Sequence, residues 1–266
     1  MVRYPTTQAN NVGRVLSVVS QKGGVGKTTT AINVAAAMAR RGLKVLLIDA
    51  DPQGSVRYGL GLSAAATKVG LSDYLAGTHE MHKVVRTTHL PWLRVVSAGS
   101  VAESASHDRF HHQLAESPRT SELFERARSR GYTVIVDTPP GLGPIVHRVL
   151  SCSQHVIVPL QCEPLALQTT RQILRGIRAS LGKNPELRLE GILLTMVETG
   201  NPASERVAAY VREQLPRELV LDMWVPRTRA SIDAFAAGQP VVVRSPDDPA
   251  AEAYRALAAY LTGRFE

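Results

Sequence analysis

The chain has 266 residues, 44% of them hydrophobic, and carries a formal net charge of +8. This length suits one large α/β domain, no apolar run approaches the roughly 20 residues of a membrane span, and two cysteines are too few for a disulfide framework. The positive charge favours a polyanionic partner, nucleic acid first, although a basic surface without such a partner is the alternative.

The N-terminus, residues 1–13, is predicted to be a flexible arm with Pro5, Asn10, Asn11 and Gly13. The arm is polar and has no apolar core of the kind found in signal peptides. Together with the two thiols, this predicts a cytoplasmic protein whose cysteines are reduced.

A glycine-rich stretch, residues 21–30, lies between an apolar run at 15–19 and a helical pattern at 31–39. Strand, glycine-rich turn and helix, in that order, are the context of a phosphate-binding loop, where backbone N–H groups and the helix dipole attract phosphate. In such a loop Lys27 reaches the β- and γ-phosphates, and the Thr28 hydroxyl ligates Mg²⁺.

The loop departs from the usual pattern, which has glycine where this chain has Gln21, and it contains a second lysine, Lys22. Residues 22–29 resemble the deviant Walker A loop of the ParA/MinD superfamily of ATPases. The likeness covers residues 14 to about 262 and is closest to the ParA-type (Soj-like) partition ATPases. It implies ATP and Mg²⁺ as cofactors, with Lys22 contacting the partner's nucleotide across an ATP-dependent homodimer.

The resemblance also implies a doubly wound α/β fold, in which a mostly parallel sheet has helices on both faces. This P-loop NTPase fold would form a single ATPase domain over residues 14–266. Two more apolar runs, residues 44–49 and 132–137, are predicted strands that end in aspartates. Carboxylates at the carboxyl ends of such strands face the ligand crevice of an open α/β sheet.

The resemblance gives these aspartates roles: Asp51 positions or activates the attacking water and Asp49 lies near the metal. Asp137 ends a Walker B strand and holds Mg²⁺ through a coordinated water. The catalytic residues expected are Lys22, Lys27 and Asp51, and the metal site is Thr28, Asp49 and Asp137. The expected ATP contacts are Lys22, Gly23, Gly24, Val25, Gly26, Lys27, Thr28, Thr29, Pro226 and Arg227.

Residues 55–90 are rich in glycine and alanine, with one short amphipathic piece at 71–75 before a strand at 92–96. Residues 103–130 are predicted to be a long polar helical region, broken near Pro118. Its three histidines are interpreted as a solvated helix face, because no carboxylate-bearing catalytic motif accompanies them. They are His107, His111 and His112.

The C-terminal part alternates predicted strands at 156–164, 191–196 and 220–225 with predicted helices at 165–181, 202–215 and 249–261. Arginines at 171, 175 and 178 form a stripe that suits DNA phosphates or a partner, or equally a solvated face. Many partition ATPases have a DNA-contacting arginine where this chain has Gly200. DNA binding is therefore predicted to rest on Arg206, Arg212, Arg227, Arg229 and Arg244. We favour Arg227 and Arg229, which fall in one predicted loop.

The function implied by the resemblance is a positioning ATPase. Its ATP dimer would bind double-stranded DNA non-specifically on the nucleoid, and a ParB-like or other cargo adaptor would stimulate hydrolysis. The cargo could be a chromosome, a plasmid or a protein cluster.

Three alternative functions are less consistent with the sequence. A MinD-like ATPase of the membrane surface would need an amphipathic terminal helix, whereas residues 250–261 are alanine-rich, so no membrane partner is expected. An iron–sulfur protein similar to the nitrogenase iron protein is disfavoured, because Cys152 and Cys162 lie too far beyond Asp137. A ligase is disfavoured because no substrate-binding loop of its own is visible.

Overall fold

The computed structural model describes residues 13–101, 104–163 and 166–265, so the predicted N-terminal arm, apart from Gly13, lies outside the described residues. Within them, the chain forms eight strands and thirteen α-helices. The strands are β1 (Val15–Val18), β2 (Val45–Asp49), β3 (Arg86–Thr87), β4 (Leu93–Val96), β5 (Thr133–Asp137), β6 (His155–Gln161), β7 (Arg188–Val197) and β8 (Val220–Pro226).

The helices are numbered in chain order, and a short 3₁₀ helix, Arg217–Leu219, precedes β8. They are α1 (Lys27–Arg40), α2 (Val56–Gly59), α3 (Ala64–Thr67), α4 (Leu71–Leu75), α5 (Met81–Val84), α6 (Ser104–Glu116), α7 (Pro118–Ser129), α8 (Pro144–Ser151), α9 (Ala166–Leu181), α10 (Pro202–Gln214), α11 (Arg229–Ala236), α12 (Val241–Arg244) and α13 (Pro249–Arg264).

The strands form one sheet in the order β3-β4-β2-β5-β1-β6-β7-β8. Every neighbouring pair is parallel except β3 with β4. β1 is central, and β2 pairs with β5 so that Asp49 lies opposite Asp137. The predicted doubly wound, mostly parallel sheet is confirmed, and its topology brings the two acidic strand ends to the edge where β1 leads into α1.

Helices cover both faces of this sheet. Alternate residues of a strand point to opposite faces, so Leu47 packs in the cluster that contains α1 and α13, while Leu46 packs in the cluster that contains α6 and α7. A third apolar cluster joins α8, α9 and α10 to β6 and β7. Because both faces are covered, β2 is apolar up to its terminal aspartate and buried at every residue.

Two sequence expectations are refined by the structure. Residues 55–90 contain four short helices and β3. α4 coincides with the amphipathic piece expected at 71–75, whereas α2, α3, α5 and β3 were not foreseen because two to four residues are too few to show periodicity. The break near Pro118 is confirmed: α6 ends at Glu116, and the Ser117 hydroxyl accepts a hydrogen bond from the Arg119 N–H as α7 begins.

The final helix is longer than expected and ends at Arg264. Its apolar residues Tyr254, Leu257 and Leu261 are buried in the cluster that also contains α1, so they serve core packing, as the alanine-rich pattern indicated. None of the helices in the described ranges is long and apolar enough to cross a bilayer.

Candidate nucleotide site

The loop between β1 and α1 is built to surround an anion with backbone N–H groups. Gly24 and Gly26 have φ angles of 76° and 88°, a left-handed conformation that glycine adopts without steric cost. A side-chain carbon added at Gly23 or Gly24 would meet nothing within 4 Å, so the concave side of the loop is open. The first helical residue is Lys27, which places the helix N-terminus directly at this opening.

Neighbouring strand ends hold the loop in place. The Thr195 hydroxyl at the end of β7 donates to the Val25 carbonyl over 2.9 Å, and the Ser20 hydroxyl donates to the Lys22 carbonyl over 2.8 Å. The Gly141 N–H donates to the Ser20 carbonyl, which ties the turn after β5 to the same loop. The loop conformation is therefore fixed before any ligand binds.

Lys27 folds back over the loop, and its Nζ donates to the Lys22 carbonyl at 3.2 Å. The side chain is buried, and this burial lowers the pKa of the Lys27 ammonium against the opposing attraction of Asp137 and Asp51. A buried ammonium among few partners is stabilised by an anion that approaches the loop. Lys27 is thus placed for the phosphate contact that the sequence predicts.

Thr28 and Asp137 meet beside the loop, where the Thr28 hydroxyl donates to Asp137 Oδ2 over 2.6 Å. Burial raises the pKa of the Asp137 carboxyl to about 7, while the hydrogen bond from Thr28 acts in the opposite direction. The second oxygen, Oδ1, is buried and has no hydrogen-bond partner among the described residues. A buried, unpartnered carboxylate oxygen beside a threonine hydroxyl fits the oxygen ligands that Mg²⁺ prefers.

Asp49 has a different environment. One of its oxygens accepts the Asp51 N–H at 3.3 Å, and the other accepts the Val56 N–H at 3.1 Å. Burial, followed by the nearby Asp137 charge, raises the pKa of the Asp49 carboxyl well above its usual range. The carboxyl therefore braces the loop after β2, and its predicted place near the metal stays a prediction.

Asp51 lies in that braced loop. Its Oδ1 accepts the Gln53 N–H at 2.9 Å, and the residue is 9% exposed. It is close enough to Lys27 and Asp137 to influence the pKa of both groups. This is a suitable position for a carboxylate that acts on water near the phosphates, so its predicted role fits the geometry without being tested by it.

Lys22 stands on the rim of the loop, and its Nζ forms an ion pair of 2.6 Å with Glu163 Oε1 just beyond β6. The side chains of the two residues are 35% and 32% exposed, respectively. The Lys22 ammonium is therefore held at the chain segment that follows β6. Sequence reasoning assigned no role to Glu163; a family alignment of the segment after β6 is the signal that could have found it.

A cavity of about 380 Å³ opens beside the loop from Gly26 and Thr29. Pro226 and Arg227, at the end of β8, line its far side together with apolar side chains of β7, α11 and α13. Mostly apolar clefts of this size with a few polar groups bind small ring systems. The structure thus brings Pro226 and Arg227 to the phosphate loop, where the sequence placed them among the ATP contacts.

The arginines predicted to bind DNA lie outside this pocket, apart from Arg227. Arg227 Nη1 contacts Glu198 at 3.4 Å, and Arg229, whose side chain is 92% exposed, pairs with Asp233. They do not share one loop, because Arg229 already begins α11 after the helix-capping Thr228. Of the remaining three candidates, Arg206 and Arg244 are exposed, and the half-buried Arg212 lies over the ring of Trp224.

The other candidates from the sequence form no site in the described part of the chain. No group of three or more histidine, cysteine or acidic side chains there could hold a metal ion. Both cysteines are free thiols, and Cys162 donates to the Ser204 carbonyl.

In the α9 stripe Arg175 and Arg178 are exposed, and the side chain of Arg171 lies outside the described residues. Gly200, with φ of 80°, occupies a loop that Glu198 and Glu205 make acidic.

Comparison with known proteins identifies the family. Residues 13–189 match the AAA domain family. The chromosome partitioning protein ParA of Caulobacter vibrioides is 37% identical over 254 residues, 94% of each chain. The sporulation initiation inhibitor protein Soj of Bacillus subtilis is 31% identical over 93% of this chain and 97% of its own. The chain belongs to the ParA family of P-loop ATPases.

Solved structures share the fold of this ParA-family chain. Cobyrinic acid a,c-diamide synthase from Mycobacterium smegmatis, solved with ADP and magnesium, is 30% identical and superposes with a TM-score of 0.77 over 95% of both chains. The cell division ATPase MinD of Pyrococcus furiosus, with a TM-score of 0.78 and 24% identity over 95% of this chain and 99% of its own, shares the fold. This ParA-family protein is accordingly an ATPase that uses ATP and Mg²⁺, and its relatives place it among the positioning ATPases.

Proposed function

We propose that this ParA-family ATPase is a dimerisation switch: with ATP it forms a homodimer that binds double-stranded DNA non-specifically and positions a cargo. An adaptor protein stimulates hydrolysis, which returns the subunits to monomers. The relatives named as chromosome partitioning proteins support a chromosome as cargo. The proposal places residues 14–266 in one ATPase domain that acts in the cytoplasm, on the nucleoid.

The observation that carries the proposal is the placement of Lys22. A lysine at the rim of the phosphate loop, whose ammonium pairs with Glu163 rather than with a group of the loop and whose side chain is about one-third exposed, is available to a second molecule. Its described ion-pair partner is also about one-third exposed, and such pairs contribute only about 0–1 kcal/mol. The γ-phosphate of a bound ATP on a facing subunit offers Lys22 a more highly charged partner.

Within one subunit, each polar group then has one task. Backbone N–H groups of residues 23–28 and the Lys27 ammonium bind the phosphates, and Thr28 with Asp137 holds Mg²⁺, which neutralises phosphate charge. Asp51 orients the water that attacks the γ-phosphate. The cavity bounded by Pro226 and Arg227 receives the base and sugar.

Hydrolysis limits the lifetime of the dimer because the stability of the dimer depends on the γ-phosphate. ATP carries the group that Lys22 of a facing subunit would contact, and ADP does not. A ligand can shift an equilibrium only through a difference in its affinity for the two states, and this contact supplies such a difference.

The decisive experiment compares Lys22→Ala with Lys27→Ala. Lys22→Ala should bind Mg-ATP within a few-fold of the parent in calorimetry, since Lys27 and the loop amides remain. It should nevertheless stay monomeric in light scattering with ATP, with ADP and without nucleotide. Lys27→Ala, the matched control, should lose at least about 100-fold in ATP affinity, because a buried charge-assisted contact to phosphate disappears. A Lys22→Ala protein that still dimerises with ATP would contradict the switch.

A further inference from the structure

A second cleft, of about 580 Å³, lies at the carboxyl ends of β2 and β4, and no residue of the phosphate loop is among its described lining residues. Its walls come from the loop after β2, from α2 and α3, from the chain after β4, and from α6. In open parallel sheets this edge is where ligands bind. The volume falls in the range of sites for small organic molecules.

The described lining of this cleft is basic. Arg57, Lys68 and His107 line it, and no aspartate or glutamate is found among the described residues that form its walls. Arg57 is half-buried and its guanidinium also contacts the neighbouring Tyr58, whereas Lys68 is exposed. Two permanent cations, Arg57 and Lys68, gathered in a concave surface raise the local potential and attract anions.

Small polar groups complete the walls. Ser97 and Ser100 lie in the stretch after β4, and their hydroxyls donate to the carbonyls of Thr67 and Lys68 over 3.3 and 3.2 Å. These bonds link the β4 side of the cleft to α3, and Gly99, with φ of 93°, lets the chain turn between them. Each hydroxyl oxygen keeps lone pairs, and Lys68 keeps its ammonium donors, for a ligand.

The cleft is joined to the hydrolytic site by a short covalent and hydrogen-bonded path. Gln53 and Gly54 belong to its wall, and the N–H of Gln53 is the group that donates to Asp51 Oδ1. Arg57 follows Val56, whose N–H is held by Asp49. A ligand that contacts Gln53 and Arg57 therefore acts on the loop that fixes the Asp51 carboxylate.

We propose that this cleft is a second ligand site, for a small organic anion with two or more carboxylate or phosphate groups, and that its occupancy changes the rate of ATP hydrolysis. The effect on rate rests on the role proposed above for Asp51, whereas the binding does not. The ligand needs several anionic groups, because Arg57, Lys68 and His107 come from three separate helices or helix ends and one group would not contact them all. A site of 580 Å³ is also larger than one carboxylate or phosphate can fill.

Binding is tested in calorimetry with the full chain saturated by Mg-ADP, so that the phosphate loop is occupied. The probes are tricarballylate, a tricarboxylate that binds Mg²⁺ weakly, and fructose 1,6-bisphosphate, which carries two phosphates and no carboxylate, so that together they separate carboxylate from phosphate chemistry. The variant Arg57→Gln/Lys68→Gln is compared with Lys183→Gln/Arg217→Gln, which removes the same two residue types from exposed positions elsewhere. We expect the cleft variant to lose at least tenfold in affinity for one probe or both, and the control less than twofold.

Rate is measured separately, with ATP and saturating probe. The parent and the control should change turnover by at least twofold when the probe is added, while the cleft variant should hydrolyse ATP at the parent's basal rate and not respond. Equal loss of binding in the two variants, or no binding by the parent, would overturn the site. Binding without any change in turnover would overturn the coupling. Failure of the dimer switch alone would leave the binding result standing, since that measurement needs no dimer.

Discussion

At the residue scale, the ion pair between Lys22 and Glu163 sets a condition on the proposed switch. The carboxylate at 2.6 Å takes one of the three donors of the Lys22 ammonium and holds the side chain within its own subunit, so less of the charge and fewer donors remain for a facing nucleotide. Glu163 therefore competes with the partner's phosphates for Lys22. Because both side chains are about one-third exposed, solvent screens the pair and the competition is worth at most about 1 kcal/mol.

Replacing Glu163 by Gln should consequently favour the dimer. The change keeps the shape of the side chain but removes its charge, so the ATP concentration for half-maximal dimerisation should fall by up to about fivefold. Light scattering across an ATP titration measures this midpoint concentration. Glu186→Gln, at an exposed site beyond α9, is the control and should leave the midpoint unchanged. A higher midpoint in the Glu163 variant would mean that the carboxylate positions Lys22 for the dimer rather than holding it back.

At the element scale, α2 is locked against its neighbours by backbone contacts too close for any side chain. Gly61, after α2, and Gly238, before α12, face each other with φ angles of 62° and 67°. A side-chain carbon added at Gly238 would lie 2.5 Å from the Gly61 Cα. Since Val56 at the start of α2 is held by Asp49, this contact connects the nucleotide site to the segment between α11 and α12.

Gly238→Ala should therefore destabilise the fold by more than backbone strain alone. The control is Gly77→Ala, where φ is 75° but an added carbon would meet nothing within 4 Å. Both alanines incur the left-handed penalty of about 1–2 kcal/mol, and Gly238→Ala should incur roughly 1–3 kcal/mol more from overpacking. Urea unfolding measures the difference. Equal losses would show that the chain relaxes around the contact at little cost.

The end of α13 is fastened to β7 through the carboxylate of Glu190. His155 Nδ1 lies 2.7 Å from Glu190 Oε1, and Arg264 Nε lies 3.0 Å from Oε2. Burial would raise the pKa of the Glu190 carboxyl, but the contacts with His155 and Arg264 outweigh it and hold the pKa below its ordinary value of 4.5. The ring of Phe265 packs against the His155 ring.

This depressed pKa predicts how stability depends on pH. The folded state binds the Glu190 proton less readily than the unfolded state, so the contribution is complete above pH 4.5 and is lost as the pH falls through the folded-state value. Glu190→Gln should cost about 2 kcal/mol of unfolding free energy near pH 7. The cost should shrink below pH 4.5, while the exposed control Glu213→Gln should show almost none. A cost that stays constant down to pH 3 would exclude the carboxylate charge as its origin.

Local signals decided which elements the sequence revealed. The break at Pro118 was predictable because proline acts on the backbone at its own position. Of the short helices in residues 55–90, only α4 coincides with an expected piece, whereas α2 packs against α1 and α11, contacts that no local pattern reveals. Contacts between residues distant in sequence, such as Glu163 with Lys22 and Gly238 with Gly61, leave no pattern in a single chain.

At the scale of the whole molecule, the charge of +8 is one basis for the proposed DNA binding. The five predicted arginines are distributed over α10, the end of β8, α11 and α12, and Arg227 and Arg229 are each paired with an exposed carboxylate. Such pairs are weak and can be exchanged for phosphate at little cost. The structure therefore keeps Arg227 and Arg229 as candidates on neighbouring elements, although not on one loop.

The salt dependence of DNA binding tests these two arginines. With ATP, affinity for duplex of any sequence should fall with salt, by about 0.9 log unit per log unit of salt for each phosphate contact. The double variant Arg227→Ala/Arg229→Ala should reduce that slope by up to about two log units of affinity per log unit of salt. Lys183→Ala/Arg217→Ala removes the same charge from exposed positions elsewhere and should change the slope little. An unchanged slope in the first variant would move the DNA surface, with exposed Arg175 and Arg178 on α9 the next to test.

The packing of α1 against α12 and α13 has a consequence for how the chain is made. Arg40 of α1 donates to the Val242 carbonyl 202 residues later, and the central strand β1 pairs with β5 and β6, more than a hundred residues away. Contacts of such sequence separation slow folding, because long loops must close before any of them forms. While a ribosome is still synthesising the middle of this protein, the part of α1 that packs against α12 and α13 has no cover. Stalled or truncated translation products should therefore aggregate and depend on chaperones until α13 has emerged.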